Sequence, residues 1–160
     1  MKLTSKISHY DSRWPALFVT EKERMAKGLG TELVGIYHVG STAVPGLAAK
    51  PEIDLLVEVS EHRNEPARDS FMSVLGYVRG SDLSAGHHFY RRDVDGVRTH
   101  KVHVCVSGHW QIESQPFRHH NVSLSPLRRT LLAFKRSSTS VFSGIYLYLF
   151  ATNNLSFENK

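Results

Sequence analysis

The run His38-Val-Gly-Ser-Thr-Ala-Val-Pro-Gly-Leu-Ala-Ala-Lys50-Pro-Glu-Ile-Asp54 decides how this chain is read. Val34 to Val39 enters it as a strand, and Ile53 to Val59 leaves it as a second strand. Between them, Gly40 to Pro51 is rich in Gly, Ala, Ser and Thr, with two prolines. That composition predicts a shaped loop with one helical turn around Leu47 to Lys50. A strand that delivers glycine and hydroxyl residues into a tight turn is suited to phosphate. Gly40 allows close backbone approach, and Ser41 and Thr42 set hydroxyl donors beside backbone N–H groups. Lys50 adds a positive charge. Asp54, at the start of the next strand, is placed to hold a divalent cation such as Mg²⁺. His38, just before the loop, is a candidate for hydrogen bonding to phosphate or for general acid work, and equally for a structural role. The alternative for the whole run is a Gly/Pro turn beside a solvated aspartate.

Outward from this run, periodicity supplies the rest of the fold. Along the second strand Ile53, Leu55, Val57 and Val59 share one face, and Asp54, Leu56 and Glu58 the other. Upstream, Trp14, Leu17, Phe18 and Met25 give a helical stripe, with Asp11 or Ser12 as cap, Pro15 near the first turn and Gly28 and Gly30 at the end. Ala67 to Leu75 reads as a helix. His87 to Val94 and Val97 to Val106 are β-like runs joined by Asp95-Gly96, a strong hairpin signal. A two-residue loop pairs Val94 with Val97. Counting back without interruption sets Asp93 opposite Arg98, Arg91 opposite His100 and His88 opposite His103. Helices follow at Gln111 to Asn121 and Pro126 to Arg136. Strands separated by helices, plus one hairpin, predict an α/β (α+β) fold with a mixed β-sheet flanked by helices.

The run from His38 to Asp54 resembles the GrpB family (the UPF0157 group). The family's typical run reads close to H-[IV]-G-S-T-A-V-P-G-L-x-A-K-P-x-I-D, and every position matches. The likeness extends to Tyr10-Asp11-x-x-Trp14-Pro15-x-x-Phe18, to Leu75-Gly76-Tyr77, and from Arg98-Thr99-His100 to His103-Val104. Trp110 and Phe117-Arg118 also match, so it covers roughly residues 9 to 136. The resemblance implies a nucleotidyltransferase-like fold, sometimes fused to dephospho-coenzyme A kinase, but names no reaction. His119-His120 stands where the family more often has Asp-Tyr. Beyond Arg136 the chain departs from the family's charged helix. Ser137 to Ser140 is followed by the apolar stretch Val141 to Phe150, so residues 137–160 read as a divergent tail on a single 160-residue domain. If exposed, that stretch predicts a homodimer or aggregation.

Enzymes that resemble complete nucleotidyltransferases carry a second carboxylate two residues beyond the first, and a third on a later strand. Close acids are needed to clasp metal ions for in-line transfer. Two residues beyond Asp54 stands Leu56. Glu58 is on the same face but about 13 Å along an extended strand. One expected ligand is therefore missing. The later strand offers His103, and the uninterrupted hairpin register sets His88 beside it. Asp54, His103 and His88 are therefore grouped as a mixed-ligand metal or acid–base site, with zinc as an alternative to magnesium or manganese. A paired-histidine strand without metal is the competing reading. Arg91, Arg92 and Arg98 are candidates to reach an anionic substrate, against an exposed hairpin with an Asp93–Arg98 cross-strand pair. Cys105, between two valines, reads as packing.

Composition bounds the remaining possibilities. A hydrophobic fraction of 41% and a charged fraction of 22% are those of a globular chain. A net charge of +5 favours phosphate-bearing partners. The basic residues are scattered, with no Lys/Arg tail to mark a nucleic-acid arm. The lone Cys105 excludes an internal disulfide and a CxxC zinc site. With no apolar run near the start and no stretch of about 20 apolar residues, a cytoplasmic protein without a membrane partner is expected. Three functions follow. The first is a metal-dependent nucleotidyl or phosphoryl transferase acting on a nucleotide or other phosphate-bearing small molecule. The second is a catalytically inactive nucleotide- or coenzyme-binding module, as Leu56 suggests. The third is an RNA-binding accessory protein.

Overall fold

The computed structural model describes residues 6–114. Its first helix, α1 (Trp14–Ala26), opens where Asp11 turns the chain: the Asp11 carboxylate accepts from the Arg13 N–H at 2.8 Å, and Pro15 sits in the first turn. The cap position itself is Arg13, without a side-chain cap. Trp14, Phe18, Glu21 and Met25, at 4-3-4 spacing, form the inward stripe; Leu17, expected there, is 46% exposed. Glu21 is buried because its carboxylate accepts from the Tyr77 hydroxyl at 2.9 Å and from Arg92 at 2.9 Å. A charge with that many partners is tolerated at a core position.

The sheet follows from β1 (Leu33–Val39), β2 (Ile53–Val59), β3 (Val78–Arg79), β4 (His87–Val94) and β5 (Val97–Val106). Its order is β1-β2-β5-β4-β3; β2 and β5 run parallel and the other neighbours antiparallel. The sheet is mixed, as expected. Helix α2 (Glu65–Val74) is capped by Asn64, whose side chain accepts from the Ala67 N–H at 3.1 Å. It begins two residues before the expected Ala67, with Pro66 in its first turn. A short helix, α3 (Trp110–Glu113), follows β5. It occupies the start of the helix expected from Gln111. The helix expected from Pro126 to Arg136, the pair His119-His120 and the apolar stretch from Val141 lie outside the described residues.

Every residue of β2 is buried, so the strand is covered on both faces. Ile53, Leu55, Val57 and Val59 join Val102 and Val104 in a core with Trp14 and Met25 of α1 and Met72 of α2. On the opposite face Leu56 packs with Val39, Cys105 and Ile112. Cys105 is buried, and its Sγ–H donates to Gln111 Oε1 at 3.2 Å; burial pushes its thiol up to about 12. That supports packing rather than nucleophilic chemistry. The helical turn expected around Leu47 to Lys50 forms instead at Ser41–Ala43, directly after β1. Among the described residues no helix is long and apolar enough to cross a membrane.

The hairpin turns at Asp95-Gly96 as expected, with φ of 51° and 74°, and pairs Val94 with Val97 and Asp93 with Arg98. Beyond that the register differs from the sequence reading. Arg92, not Arg91, faces His100, because Thr99 is an extra residue on β5. Its hydroxyl donates to the Arg92 carbonyl at 3.2 Å. One inserted residue shifts every later pair by one and turns side chains to the other face. His88 therefore pairs with Val104, and His103 with Phe89.

Candidate functional site

The site is built from the end of β1, the start of β2 and the middle of β5. Register aligns Val39, Asp54, Lys101 and Arg91 across four strands. Directly paired residues project to the same face, so Asp54, Lys101 and Arg91 form one row. Glu52 lies two residues before Asp54 and shares its face by alternation. Both carboxylates are buried, at 5% and 4% exposure, and both converge on one ammonium. Lys101 Nζ is 2.7 Å from Glu52 Oε2 and 3.6 Å from Asp54 Oδ1.

Lys101 thus marks a point between two carboxylates where a positive charge is held. Burial acts against the ammonium, but Asp54 and Glu52 outweigh it and raise its pKa. Burial, opposed by Lys101 and reinforced by Glu52, pushes the Asp54 carboxyl up to about 6. Arg98 also lowers the Asp54 value, so this arginine lies within electrostatic reach of the pair. Its Nε stands 3.7 Å from Asp93 Oδ1, outside hydrogen-bond distance, and is buried without a hydrogen-bond partner. Arg91, over Lys101 in the row, has its Nε 3.8 Å from Asp93 Oδ2. The two arginines share one carboxylate at the edge of the site, so the expected Asp93–Arg98 pairing and a nearby position for both hold together.

The Gly40-Ser41 turn abuts this pair. Gly40 adopts φ 75°, ψ −170°, a conformation that side-chain-bearing residues rarely adopt. A Cβ there would lie 2.5 Å from Asp54 Oδ2. Ser41 opens the short turn that follows and is half-buried, and Lys50 is half-buried at the far end of the loop.

Two expected donors have another task. The Thr42 hydroxyl donates to the Glu52 carbonyl at 3.2 Å, so its lone pair accepts from His38 Nε2–H at 3.0 Å. Thr42 is 1% exposed, and its hydroxyl is spent inside the protein rather than offered to a phosphate. The His38 ring stacks on Phe18 with centroids 4.9 Å apart, and burial lowers its pKa to about 4. The chain His38–Thr42–Glu52 ties the end of β1 to the start of β2. It positions the acid-bearing strand.

The grouping of Asp54 with His103 and His88 does not assemble. His103 shares the face of Asp54, but His88 is on the other face. There it stacks on His62, with centroids 3.8 Å apart, and its Nε2 is 3.5 Å from Glu65 of α2. His103 Nδ1 is 2.9 Å from His87 Nε2. Among the described residues no three His, Cys, Asp or Glu side chains are gathered as a metal cage. What the structure does supply is the second carboxylate, Glu52, which forward counting from Asp54 passes over. The signal was in the run Pro51-Glu52-Ile53-Asp54 itself: an i, i+2 pair shares a strand face in either direction.

A mixed sheet with α1 and α2 against one face and a Gly-Ser turn beside a pair of acids at the start of β2 defines a nucleotidyltransferase-like fold. A crystal structure of the conserved protein GrpB from Enterococcus faecalis superposes with a TM-score of 0.70 at 21% identity, covering 94% of this chain and 99% of that one. The MgGTP-bound crystal structure of the Cid1 poly(U) polymerase gives a TM-score of 0.51 at 10% identity over 81% of this chain and 43% of that one, a likeness of fold alone. The sequence pattern of the family described as GrpB protein matches residues 4–137, and the chain belongs to that family. Relatives include the UPF0157 protein YqkA of Bacillus subtilis, 37% identical over 105 residues, and a UPF0157 protein of Halalkalibacterium halodurans, 44% identical over 107. Those matches cover 65% of this chain in each case, but only 30% and 53% of the relatives' own length.

Proposed function

We propose that this protein binds a nucleotide or another phosphate-bearing small molecule at the Gly40-Ser41 turn, together with one divalent cation held by Glu52 and Asp54. The reaction class it serves is nucleotidyl or phosphoryl transfer. The observation that carries the reading is the convergence of Glu52 and Asp54 on a single cationic point, Lys101 Nζ, beside a glycine at which a Cβ would lie 2.5 Å from Asp54 Oδ2.

The donor set fits magnesium or manganese. The carboxylates of Glu52, just before β2, and Asp54, within it, are hard oxygen ligands, and Mg²⁺ is commonly held by one or two carboxylates plus substrate phosphates and water. Zinc fits less well, since His88 faces away and His103 Nδ1 is already bonded. When bound, such a cation would neutralise phosphate charge and orient it. The chain's own residues would do the rest. Gly40 and Ser41 admit the phosphate to the backbone, while Lys101, with Arg91 and Arg98 behind it, offsets the remaining negative charge.

A second reading is favoured by Lys101 itself. It stands opposite Asp54 on the neighbouring strand β5, the later strand on which a third acid is sought. A lysine there supports one cation rather than two, and with it a binding module without catalysis. Calorimetry with ATP, GTP, CTP, UTP and dephospho-coenzyme A, with Mg²⁺, Mn²⁺ or EDTA, tests the binding claim. Metal-dependent binding that disappears in Glu52→Gln and Asp54→Asn is expected. Binding unchanged by EDTA or by either substitution would refute the cation's place. Product formation from a bound nucleotide then separates transferase from module.

A further inference from the structure

The protonation of His103 can be read from its neighbours. The backbone N–H of Leu83 donates to His87 Nδ1 at 3.1 Å. A backbone amide can only donate, so His87 Nδ1 carries no proton and the neutral ring is protonated at Nε2. That Nε2–H points at His103 Nδ1, 2.9 Å away. His103 Nδ1 is therefore the acceptor, and the proton of the neutral His103 ring is on Nε2. The same logic fixes the adjacent ring. The Gln111 N–H donates to His109 Nδ1 at 3.2 Å, and His109 Nε2–H donates to Ser84 Oγ at 2.9 Å. His87 and His109 stack with centroids 6.2 Å apart, with Leu83 bonded to the first ring and Ser84 to the second. Reversing the chain would leave the Leu83 amide facing an N–H.

His103 is buried and neutral; burial, aided by His87 and Lys101, lowers its pKa to about 3. It follows Lys101 by two residues on the same face of β5 and pairs with Leu56, itself two residues beyond Asp54. Among the described residues nothing accepts from Nε2. We infer that His103 is a fixed hydrogen-bond donor, through Nε2–H, to an anionic oxygen of the ligand held beside Asp54 and Lys101, and neither a metal ligand nor a general base. The acceptor rests on the proposed function; the tautomer does not.

Two-bond ¹H–¹⁵N correlation spectra of the labelled full chain at neutral pH read the tautomer directly, with His103→Gln assigning the ring. An unprotonated Nδ1 and a protonated Nε2 are expected. A ring protonated at Nδ1, or an equal mixture, would overturn the inference. The acceptor is read with magnesium tripolyphosphate as probe. Its addition is expected to shift the His103 Nε2 resonance. His103→Gln keeps an N–H donor at similar reach and should bind within about threefold of wild type. His103→Leu should bind about tenfold more weakly, the worth of one hydrogen bond to a charged group. Wild-type affinity in His103→Leu, with binding still lost in Asp54→Asn, would overturn the donor role and leave the proposed function standing. No binding of the probe or of any nucleotide to the wild type would overturn both the function and the acceptor assigned here.

Discussion

Gly40 is packed against Asp54 so closely that a methyl group at position 40 would lie 2.5 Å from the carboxylate oxygen Oδ2. The backbone at this glycine also has φ 75°, outside the range that side-chain-bearing residues prefer. Gly40→Ala should therefore lower stability by about 2 kcal/mol or more from strain alone. It should also displace the Asp54 carboxylate and abolish metal-dependent nucleotide binding. Denaturant melts and calorimetry on the one variant measure both effects.

Lys101 Nζ lies 2.7 Å from Glu52 Oε2 and 3.6 Å from Asp54 Oδ1. Lys101→Met removes the built-in charge and leaves two buried carboxylates facing each other. The variant should lose about 3 kcal/mol in EDTA, the scale for breaking a buried ion pair by deleting one partner. Magnesium or manganese should restore much of that loss and should bind more tightly than to the wild type. A thermal melt with and without cation checks this; equal melting temperatures in the two conditions would contradict the reading of Lys101 as a cation placeholder.

The Thr42 hydroxyl joins His38 to the Glu52 carbonyl inside the loop. Thr42→Val deletes that buried hydroxyl. It should destabilise the protein by about 1–3 kcal/mol. Nucleotide affinity, measured well below the melting temperature, should stay within about threefold. A complete loss of binding in a folded Thr42→Val protein would return the hydroxyl to the phosphate.

Acid should unfold this protein through its histidines. The folded pKa values of His38, His87 and His100 are lowered to about 4, and that of His103 to about 3. In the unfolded chain each lies near 6.5. The unfolded state thus binds more protons below pH 6.5, and the stability these groups contribute is present above that pH and lost as pH falls toward 4. Each can contribute up to about 1.4 kcal/mol per pH unit. Asp54, raised to about 6, works the other way, stabilising the fold most when protonated. Four groups against one predict a falling melting temperature from pH 7 to pH 4.5, and a smaller fall in His87→Phe.

Much of this architecture was legible because local rules and tertiary structure agree. Alternation in Ile53 to Val59 separated the two faces of β2 correctly, and Asp95-Gly96 placed the hairpin. The errors have physical causes. Thr99 has no sequence mark as a bulge, and its insertion moved His88 to the opposite face from His103. Glu21 sits on a stripe where apolar residues were sought, because Tyr77 and Arg92, distant in sequence, partner its charge. Ser41 to Ala43 took the helical turn that composition placed later in the loop. Glu52 was missed through direction alone, and Lys101 could be found only once the parallel pairing of β2 with β5 set it opposite Asp54.

Glu52 and Asp54 together are proposed to hold a divalent cation for a bound phosphate. Manganese titration followed by electron paramagnetic resonance, with and without nucleotide, tests it most directly. The free Mn²⁺ signal should fall with one equivalent of wild-type protein in the presence of nucleotide, beyond what the nucleotide alone binds. The loss should be absent in Glu52→Gln and in Asp54→Asn. A signal that the wild type leaves unchanged, or that both variants reduce equally, would contradict the account.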